Sequence, residues 1–455
     1  MRKGLLGSIA ALTAGASLAF AQPPARTLPP ISSPDPLTVQ LGQSGPLPAG
    51  PVPPGVAGAN VGIMPLDAAN PGLPPGALGN LYGQPNEPLG PGPDTESGYT
   101  SFETLLWFVR SMPSTVPLVS AGTTITEGAQ PDLGSTTLFG AQNFQFNPFV
   151  GARFTVGKWF RSNPEWGMEW SAFILEDRVD KFVVGVGDQV LARPFIDATT
   201  GLPSSFIIAS PGFARGGVSA SVLSQLWGME WNLQRKLWTD GTKSFNFLLG
   251  FRYMDLRESL AVQSQSFFDP GVTTFFYGLN LTSPFRIDVE DAFDTRNQYF
   301  MGQFGLQGEW RYRRWVFGWG AKLGLGDVRE TSDINGLSRL VLTPGEAPNE
   351  VPGGLLALSS NIGRSHDDKF VVMPEGKIQI GYRMWKNVDL AMGYSIIYFS
   401  RAIRPSDQID PVLNPAFIPT STTYSFPAGP ARPALTFNQS DFWVQGLNFA
   451  LSIHY

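Results

Sequence analysis

The chain has 455 residues, of which 42% are hydrophobic and only 15% are charged, and its formal net charge is −5. Soluble globular proteins carry about 25% charged residues, so this composition is poor in charge, and its acidic balance argues against nucleic acid as a partner. Cysteine is absent, which excludes structural disulfides, thiolate metal sites, a cysteine nucleophile and a lipid-modified cysteine.

Two segments of unusual composition come first. Residues 1–21 combine basic Arg2 and Lys3 with a short apolar core and an A-x-A cleavage site that ends at Ala21, the pattern of a secretory signal peptide. An uncleaved anchor helix is the alternative, but the core is short and diluted with small residues. Residues 22–98 are rich in proline and glycine, and we expect a disordered leader that lies in the periplasm.

Residues 99–455 contain segments in which bulky apolar side chains alternate with small or polar ones. A two-residue period places the two kinds on opposite faces of a β-strand. Two weaker segments, Lys181–Leu191 and Ser205–Ser210, raise the estimate from ten strands to at most twelve. The ten clear segments are Tyr99–Arg110, Val150–Phe160, Trp166–Leu175, Ser221–Leu233, Phe245–Tyr253, Phe300–Trp310, Trp315–Leu325, Phe370–Tyr382, Val388–Tyr398 and the stretch from Phe442 to Tyr455.

Short connections between these segments alternate with long ones, as expected for a membrane barrel.

Membrane-spanning helices are disfavoured. No apolar run of about 18 residues follows the first twenty or so, and mean hydropathy is only −0.03. We therefore predict an all-β protein, an antiparallel transmembrane β-barrel of 10–12 strands in the outer membrane, with long extracellular loops. A β-sandwich is the alternative. The short connections are Arg161–Glu165, Tyr312–Arg314 and Arg383–Asn387, and the long ones include Ser111–Pro148, Val262–Asn297 and Asp327–Lys369.

The last strand ends on an aromatic residue with a bulky residue at every second position. This pattern is typical of the closing strand of a membrane barrel, and we expect it to face outer-membrane lipid and to be the signal for the barrel-assembly machinery. The insertion-signal residues are Leu447, Phe449, Leu451, Ile453 and Tyr455.

Charged residues of both signs occur on the opposite, inward face of the strands. Buried charges need partners, so these residues either pair and fill a narrow lumen or line a wet channel that passes small solutes. The lumen-lining candidates are Glu103, Arg153, Glu169, Glu230, Arg252, Glu309, Lys322, Glu375 and Lys377.

Residues for catalysis or metal binding are sparse. His366, in a predicted loop, and His454, on the inward face, are the only histidines. With no Gly-x-Ser-x-Gly motif, neither supports a serine hydrolase. The acidic residues suited to Ca²⁺ do not have the spacing of a standard loop, so we expect no catalytic, cofactor or metal site. Those acidic residues are Asp288, Glu290, Asp291, Asp294, Asp407 and Asp410.

Several short sequences resemble one family. They are Leu191-Ala192-Arg193-Pro194-Phe195, Gly250 to Leu260, Phe293 to Asn297, Ser360 to Arg364, Met373-Pro374-Glu375, Arg404 to Asp410 and Asp441 to Leu447. In order and spacing they resemble the planctomycete-type outer-membrane β-barrel porin family, the seventh in a numbered series of predicted barrels. The resemblance runs from Tyr99 to Tyr455, with Ser406 standing where glycine is expected. It implies an outer-membrane barrel of unknown cargo and brings no catalytic residues.

The expected function follows from the barrel. We expect a porin-like passive channel or a structural barrel of the envelope, and no enzyme. A surface-exposed binding or adhesion barrel with a filled lumen is the alternative. A barrel lipid hydrolase or acyltransferase is a remote one.

Overall fold

The computed structural model describes residues 96–185, 189–342, 345, 347–424 and 429–455. The predicted signal peptide lies outside these residues, as does the predicted leader up to residue 95. In the described part, none of the helices is long and apolar enough to cross a membrane.

Within the described residues the chain forms nineteen strands and two short 3₁₀ turns, Pro405–Gln408 and Pro415–Phe417. The strands are β1 Gly98–Val109, β2 Pro117–Gly122, β3 Thr136–Gly140, β4 Phe149–Phe160, β5 Asn163–Leu175, β6 Arg178–Val184, β7 Val190–Asp197, β8 Pro203–Ala209, β9 Ala214–Thr239, β10 Lys243–Phe268, β11 Thr273–Phe276, β12 Leu279–Thr282, β13 Arg286–Tyr312, β14 Trp315–Val341, β15 Asn349–Pro352, β16 Gly363–Trp385, β17 Val388–Ile403, β18 Val412–Leu413 and β19 Gln439–His454.

Ten of these strands close into an antiparallel barrel. Their order around the ring is β1-β4-β5-β9-β10-β13-β14-β16-β17-β19. The last strand pairs with the first, from Tyr99 opposite His454 to Val109 opposite Val444. A closed ring has no free sheet edge. The prediction of an antiparallel barrel is confirmed, and its ten strands correspond to the ten clear segments of the sequence.

The two weaker segments do not enter the ring. β6 pairs with the part of β9 that continues beyond β5, and its partners there run from Val218 to Ser224. β8 pairs with β7 in a separate five-stranded sheet that also contains β2, β3 and β18. The strand number is therefore ten, the lower bound of the prediction.

The two ends of the barrel differ. Residues 161–162, 240–242, 313–314 and 386–387 connect ring strands at one end, where Ser97 also donates its backbone N–H to the Tyr455 carbonyl at 2.7 Å. We call this the short-turn end. All connections at the other end are long, and we call it the long-loop end.

An apolar band surrounds the ring. Outward residues are apolar from Phe245 to Tyr253 on β10, from Phe300 to Trp310 on β13 and from Trp315 to Leu325 on β14. About ten residues at roughly 3.3 Å each, tilted by about 40°, cross about 25 Å, the height of an outer-membrane apolar band. Phe251 and Phe449 are each 47% exposed on this face, which is the exposure expected of side chains that contact lipid.

Four ring strands continue far beyond the apolar band. β9 and β10 have 26 residues each, and β13 and β14 have 27. The stretches Val262–Asn297 and Asp327–Lys369, expected to be long loops, therefore contain large parts of strands. Beyond the band, towards the long-loop end, the apolar residues of β10 face inward, as Leu260 and Val262 do, whereas within the band they face outward. This one-residue change of phase interrupts the alternation on which the prediction relied.

The inward face of the extended strands packs against the five-stranded sheet. Val222, Leu260 and Phe293 from the extensions belong to one buried cluster with Leu118 and Ile208 from the second sheet. The two-sheet packing considered for the whole chain is thus found in this part of it, at the long-loop end.

Replacement of Phe449 by aspartate tests the assignment of the outer face. Phe449 lies near the middle of the apolar band on β19, and a carboxylate there costs on the order of 2 kcal/mol in the bilayer. We expect a marked loss of folded barrel in membrane fractions, measured by heat-modifiable mobility in gels.

The control is Ser221→Asp, which places the same charge on the outward face of β9 opposite Lys181, above the band. Its yield should equal that of the wild type. A normal yield of Phe449→Asp would contradict the assigned orientation of β19.

Candidate functional site in the barrel lumen

The lumen next to the short-turn end is polar and charged. All nine predicted lumen-lining residues lie on the inner wall there. They come from eight strands, β1, β4, β5, β9, β10, β13, β14 and β16. They surround a cavity of about 230 Å³. The alternation of each strand places these side chains inward, but the pairing between them depends on the closure of the ring.

A central ion-paired group spans this cavity. The Arg252 guanidinium lies 2.5 Å from the Glu230 carboxylate and also contacts Glu375 on the far side of the ring. Lys322 pairs with Glu230 as well. Two cations and two carboxylates therefore share one chain of contacts, which compensates the desolvation of each charge.

A second group lies beside it. The Glu103 carboxylate accepts a hydrogen bond from Lys377 Nζ at 2.6 Å, and Arg153 Nη1 lies 3.5 Å from it. Glu169 accepts hydrogen bonds from the Tyr99 hydroxyl and, at 3.3 Å, from the Asn232 amide. These contacts leave the lumen occupied by paired side chains.

A third group, which we call the floor cluster, closes the short-turn end. It consists of Glu96, Arg311, Arg383, Asp389 and His454, and every member is at most 9% exposed. His454 lies between two carboxylates, with Nδ1 3.2 Å from Glu96 and Nε2 3.1 Å from Asp389. Arg383 Nε donates to Asp389 at 2.6 Å, and Arg311 pairs with both Glu96 and Glu309.

Sequence reasoning found only His454 among these five. Glu96 fell inside the predicted leader, and Arg383 inside a predicted turn. The inward parity of Glu375 and Lys377, continued along β16, would have reached Arg383. Glu96 precedes β1, and although burial alone would raise its pKa, the His454 and Arg311 contacts hold that pKa below its usual range.

An apolar layer crosses the lumen above the cavity. It is a buried cluster to which each of the ten ring strands contributes at least one side chain. Its rings interlock, with centroids 5.0 Å apart for Tyr299 and Phe399 and 5.1 Å apart for Phe399 and Phe442. The members are Leu105, Trp107, Val109, Phe149, Leu175, Leu226, Met254, Leu256, Tyr299, Met301, Val328, Val371, Met373, Ile397, Phe399, Ala402, Phe442 and Val444.

Buried polar contacts fix the segment after β17 above this layer. Arg404 donates from Nε and Nη2 to Glu258, each at 2.6 Å, and both side chains are fully buried. Asn297 exchanges two hydrogen bonds with the backbone of Ile403, at 2.9 and 2.8 Å. Ser406, where the resemblance expected glycine, donates its hydroxyl to the Pro113 carbonyl. The mouth is thereby covered by the chain itself.

Four of the six acidic residues considered for Ca²⁺ form ion pairs with arginine. Asp291 Oδ1 accepts the backbone N–H groups of Leu355, Leu356 and Ala357 at 2.9, 3.0 and 2.8 Å. Its Oδ2 lies 2.6 Å from the buried Arg193. Asp291 therefore docks the connection after β14. Among the others, Asp288 pairs with Arg286, Glu290 with Arg339 and Asp410 with Arg432.

The two histidines lie on different faces of the wall. His366 is on the outward face of β16, not in a loop as expected, and is exposed. His454 belongs to the floor cluster inside the lumen. They do not share a site.

Comparison with known proteins gives one family and several distant structures. A family model described as "Putative beta barrel porin-7" matches residues 99–455. No curated protein matches the chain. The outer membrane protease OmpT from Escherichia coli is 8% identical, with 79% of this chain and 97% of that chain covered and a TM-score of 0.37. The toluene transporter TodX from Pseudomonas putida is 9% identical, with coverages of 79% and 90% and a TM-score of 0.19.

Removal of Arg252 tests the central ion-paired group. Arg252→Met leaves the carboxylates of Glu230 and Glu375 without their shared guanidinium, and loss of a buried partner costs about 3 kcal/mol or more. We expect that decrease in the free energy of unfolding in detergent, measured by guanidinium titration.

The control is Arg364→Met, whose side chain is 68% exposed and pairs with Asp333 on the outer surface. Surface pairs contribute at most about 1 kcal/mol. Equal losses for the two variants would show that the lumen pairing is solvated and weak.

Replacement of Asp291 by alanine tests the docked connection after β14. The variant removes the acceptor of three backbone N–H groups and the partner of Arg193, so the connection should open more often. We expect amide hydrogen exchange of residues 355–357 to increase at least tenfold. Asp333→Ala, at an exposed ion pair, should leave it unchanged, and protection retained in Asp291→Ala would refute this docking role.

Proposed function

Because the chain belongs to this β-barrel porin family, we propose that it is an outer-membrane barrel with a closed lumen, which anchors and displays its long-loop end at the cell surface. The apolar layer is the observation that carries this proposal. An ion that crossed it would leave water with no polar partner, and such transfers cost many kcal/mol. In this proposal the primary role of the barrel is structural, as an element of the envelope, and it is not an open pore.

The long-loop end supplies what is displayed. Barrels of this class have short periplasmic turns and longer extracellular loops, so we place the extended strands and the five-stranded sheet outside the cell. The five-stranded sheet shares one buried apolar core with the inward face of the extended strands. A binding or adhesion role of this end remains the alternative within the same proposal.

A passive channel for small solutes is the second candidate, and the polar cavity of about 230 Å³ favours it. For a solute to pass, the apolar layer would have to part and the segment held by Arg404 and Glu258 would have to leave the mouth. Both changes break well-packed contacts, which is why we rank this function second.

Partners follow from the surfaces. We propose that the apolar band contacts outer-membrane lipid, that the terminal strand is recognised by the barrel-assembly machinery, and that a leader would hang in the periplasm. His366 and His454 lie on opposite faces of the wall, so they do not form a shared catalytic pair in this proposal.

Single-channel recording in planar bilayers tests the closed lumen. We expect no reproducible conductance steps from the wild type. Phe399→Gly and Phe442→Gly, combined with Arg404→Ala, remove two interlocked rings from the apolar layer and the contact that holds the segment over the mouth. This variant should produce steps, because water can then connect the cavity with the open mouth.

The matched control combines Phe251→Gly and Phe304→Gly with the same Arg404→Ala change, so that it removes two rings from the lipid-facing side of the barrel and leaves the apolar layer intact. It should remain silent. Reproducible steps from the wild type would overturn the closed barrel in favour of the channel.

A further inference from the structure

We propose that the outer wall of the barrel binds the phosphate-bearing head group of an anionic membrane lipid. The site lies at the border of the apolar band that is nearer the long-loop end. The site is formed by Tyr253, Asp255 and Arg257 on β10 and by Arg296 and Gln298 on β13. We call these five residues the border cluster. The inference is independent of whether the lumen is open or closed.

The position of the border cluster matches the height of lipid head groups. Tyr253 and Phe300, opposite each other, are the last apolar outward residues of their strands before the polar surface begins. The next outward pair is Asp255 with Gln298, and the one after it is Arg257 with Arg296. Each step of two residues rises by about 7 Å along the strand, so the guanidinium groups lie just beyond the hydrocarbon.

The cluster holds two like charges directly opposite each other. Such cross-strand pairs are destabilising by themselves. One carboxylate lies between them: Arg296 Nη2 donates to Asp255 at 2.6 Å, and Arg257 Nε donates to it at 3.4 Å. The Asp255 side chain is 0% exposed although it points away from the lumen. Two cations therefore share one anion, and the group retains a net positive charge.

Within the described residues, Arg257 contacts Asp255 only through Nε. Arg296 donates to Asp255 through Nε and Nη2, and it also interacts with the Tyr253 hydroxyl. Both guanidinium groups therefore keep N–H groups that no described carboxylate uses. Their side chains are 35% and 34% exposed, so both arginines remain accessible on the outer wall. Asp294, the next outward residue of β13, forms no ion pair with either arginine among the described contacts. Paired guanidinium forks are well suited to phosphate oxygens.

The surface below the arginines favours a lipid over a free anion. Tyr253 packs between Trp227 and Phe300 with tilted rings, whose centroids are 5.3 and 5.1 Å away. Phe300 is 44% exposed within the apolar band. A lipid whose phosphate reaches the arginines would lay its acyl chains on these rings, so one molecule would satisfy both surfaces. Inorganic phosphate would use the guanidinium groups alone.

Native mass spectrometry of the detergent-purified full chain tests the site. Dioleoylphosphatidylglycerol is titrated against the wild type and against Arg257→Gln combined with Arg296→Gln, and dioleoylphosphatidylcholine is titrated in parallel. We expect the phosphatidylglycerol affinity to fall at least tenfold in the double variant, because both forks are lost. The weaker binding of phosphatidylcholine should not change.

The control is Arg215→Gln, an exposed arginine on β9 that pairs with Asp269, far above the apolar band. It should bind phosphatidylglycerol as the wild type does. If the double variant fails to fold, Arg257→Gln alone, which loses only the longer Asp255 contact, should still lower the affinity severalfold.

Three results would overturn the proposal. They are unchanged phosphatidylglycerol affinity in a folded arginine variant, an equal loss in Arg215→Gln, and displacement of the lipid by millimolar inorganic phosphate. The last result would identify a site for free anions and not for a lipid.

Discussion

Backbone hydrogen bonding inside a bilayer is the constraint on which this structure depends. No water is available there to satisfy an exposed N–H or C=O group, so a sheet can cross only if it closes on itself. The pairing of the first ring strand with the last, Tyr99 to Val109 against Val444 to His454, provides that closure. Once the ring is closed, each side chain of a ring strand faces either outward or into the lumen. The two-residue period of the strand decides which.

At the border of the apolar band, the apolar side chains of the long strands change from the outward face to the inward face. On β10, Phe251 and Tyr253 face outward, whereas Leu256 and Leu260 face inward. The same strand therefore serves two environments, hydrocarbon outside below the border and a protein core inside above it. The backbone alternation continues unchanged through the border, and only the surroundings of its two faces differ. The change of face therefore needs no bulge or break in the strand. The extended strands gain a buried face only when the five-stranded sheet covers them.

A ring of ten strands is narrow, and its interior has been filled in two ways. The half next to the short-turn end is filled by paired charges around Arg252 and by the floor cluster. The half next to the long-loop end is filled by the apolar layer. Above it, the short sequences that resemble the porin family make buried polar contacts, such as Arg404 with Glu258 and Arg193 with Asp291. These contacts attach the connections to the mouth, which gives the family resemblance a structural meaning.

The sequence by itself determined the ten ring strands, their outward and inward faces and the nine charged residues of the lumen, because alternation is a local property of each segment. It could not determine the partners, since Arg252 and Glu375 are 123 positions apart and meet only across the closed ring. It also missed the extended strands and Glu96. The change of phase hid the strand extensions, and Glu96 becomes part of the barrel only through Arg311 and His454. Whether inward charges line a channel or fill a lumen was left open by the pattern. Only the tertiary structure reveals the apolar layer on which the proposal of a closed lumen rests, because only packing brings eighteen scattered side chains from ten strands into one buried cluster.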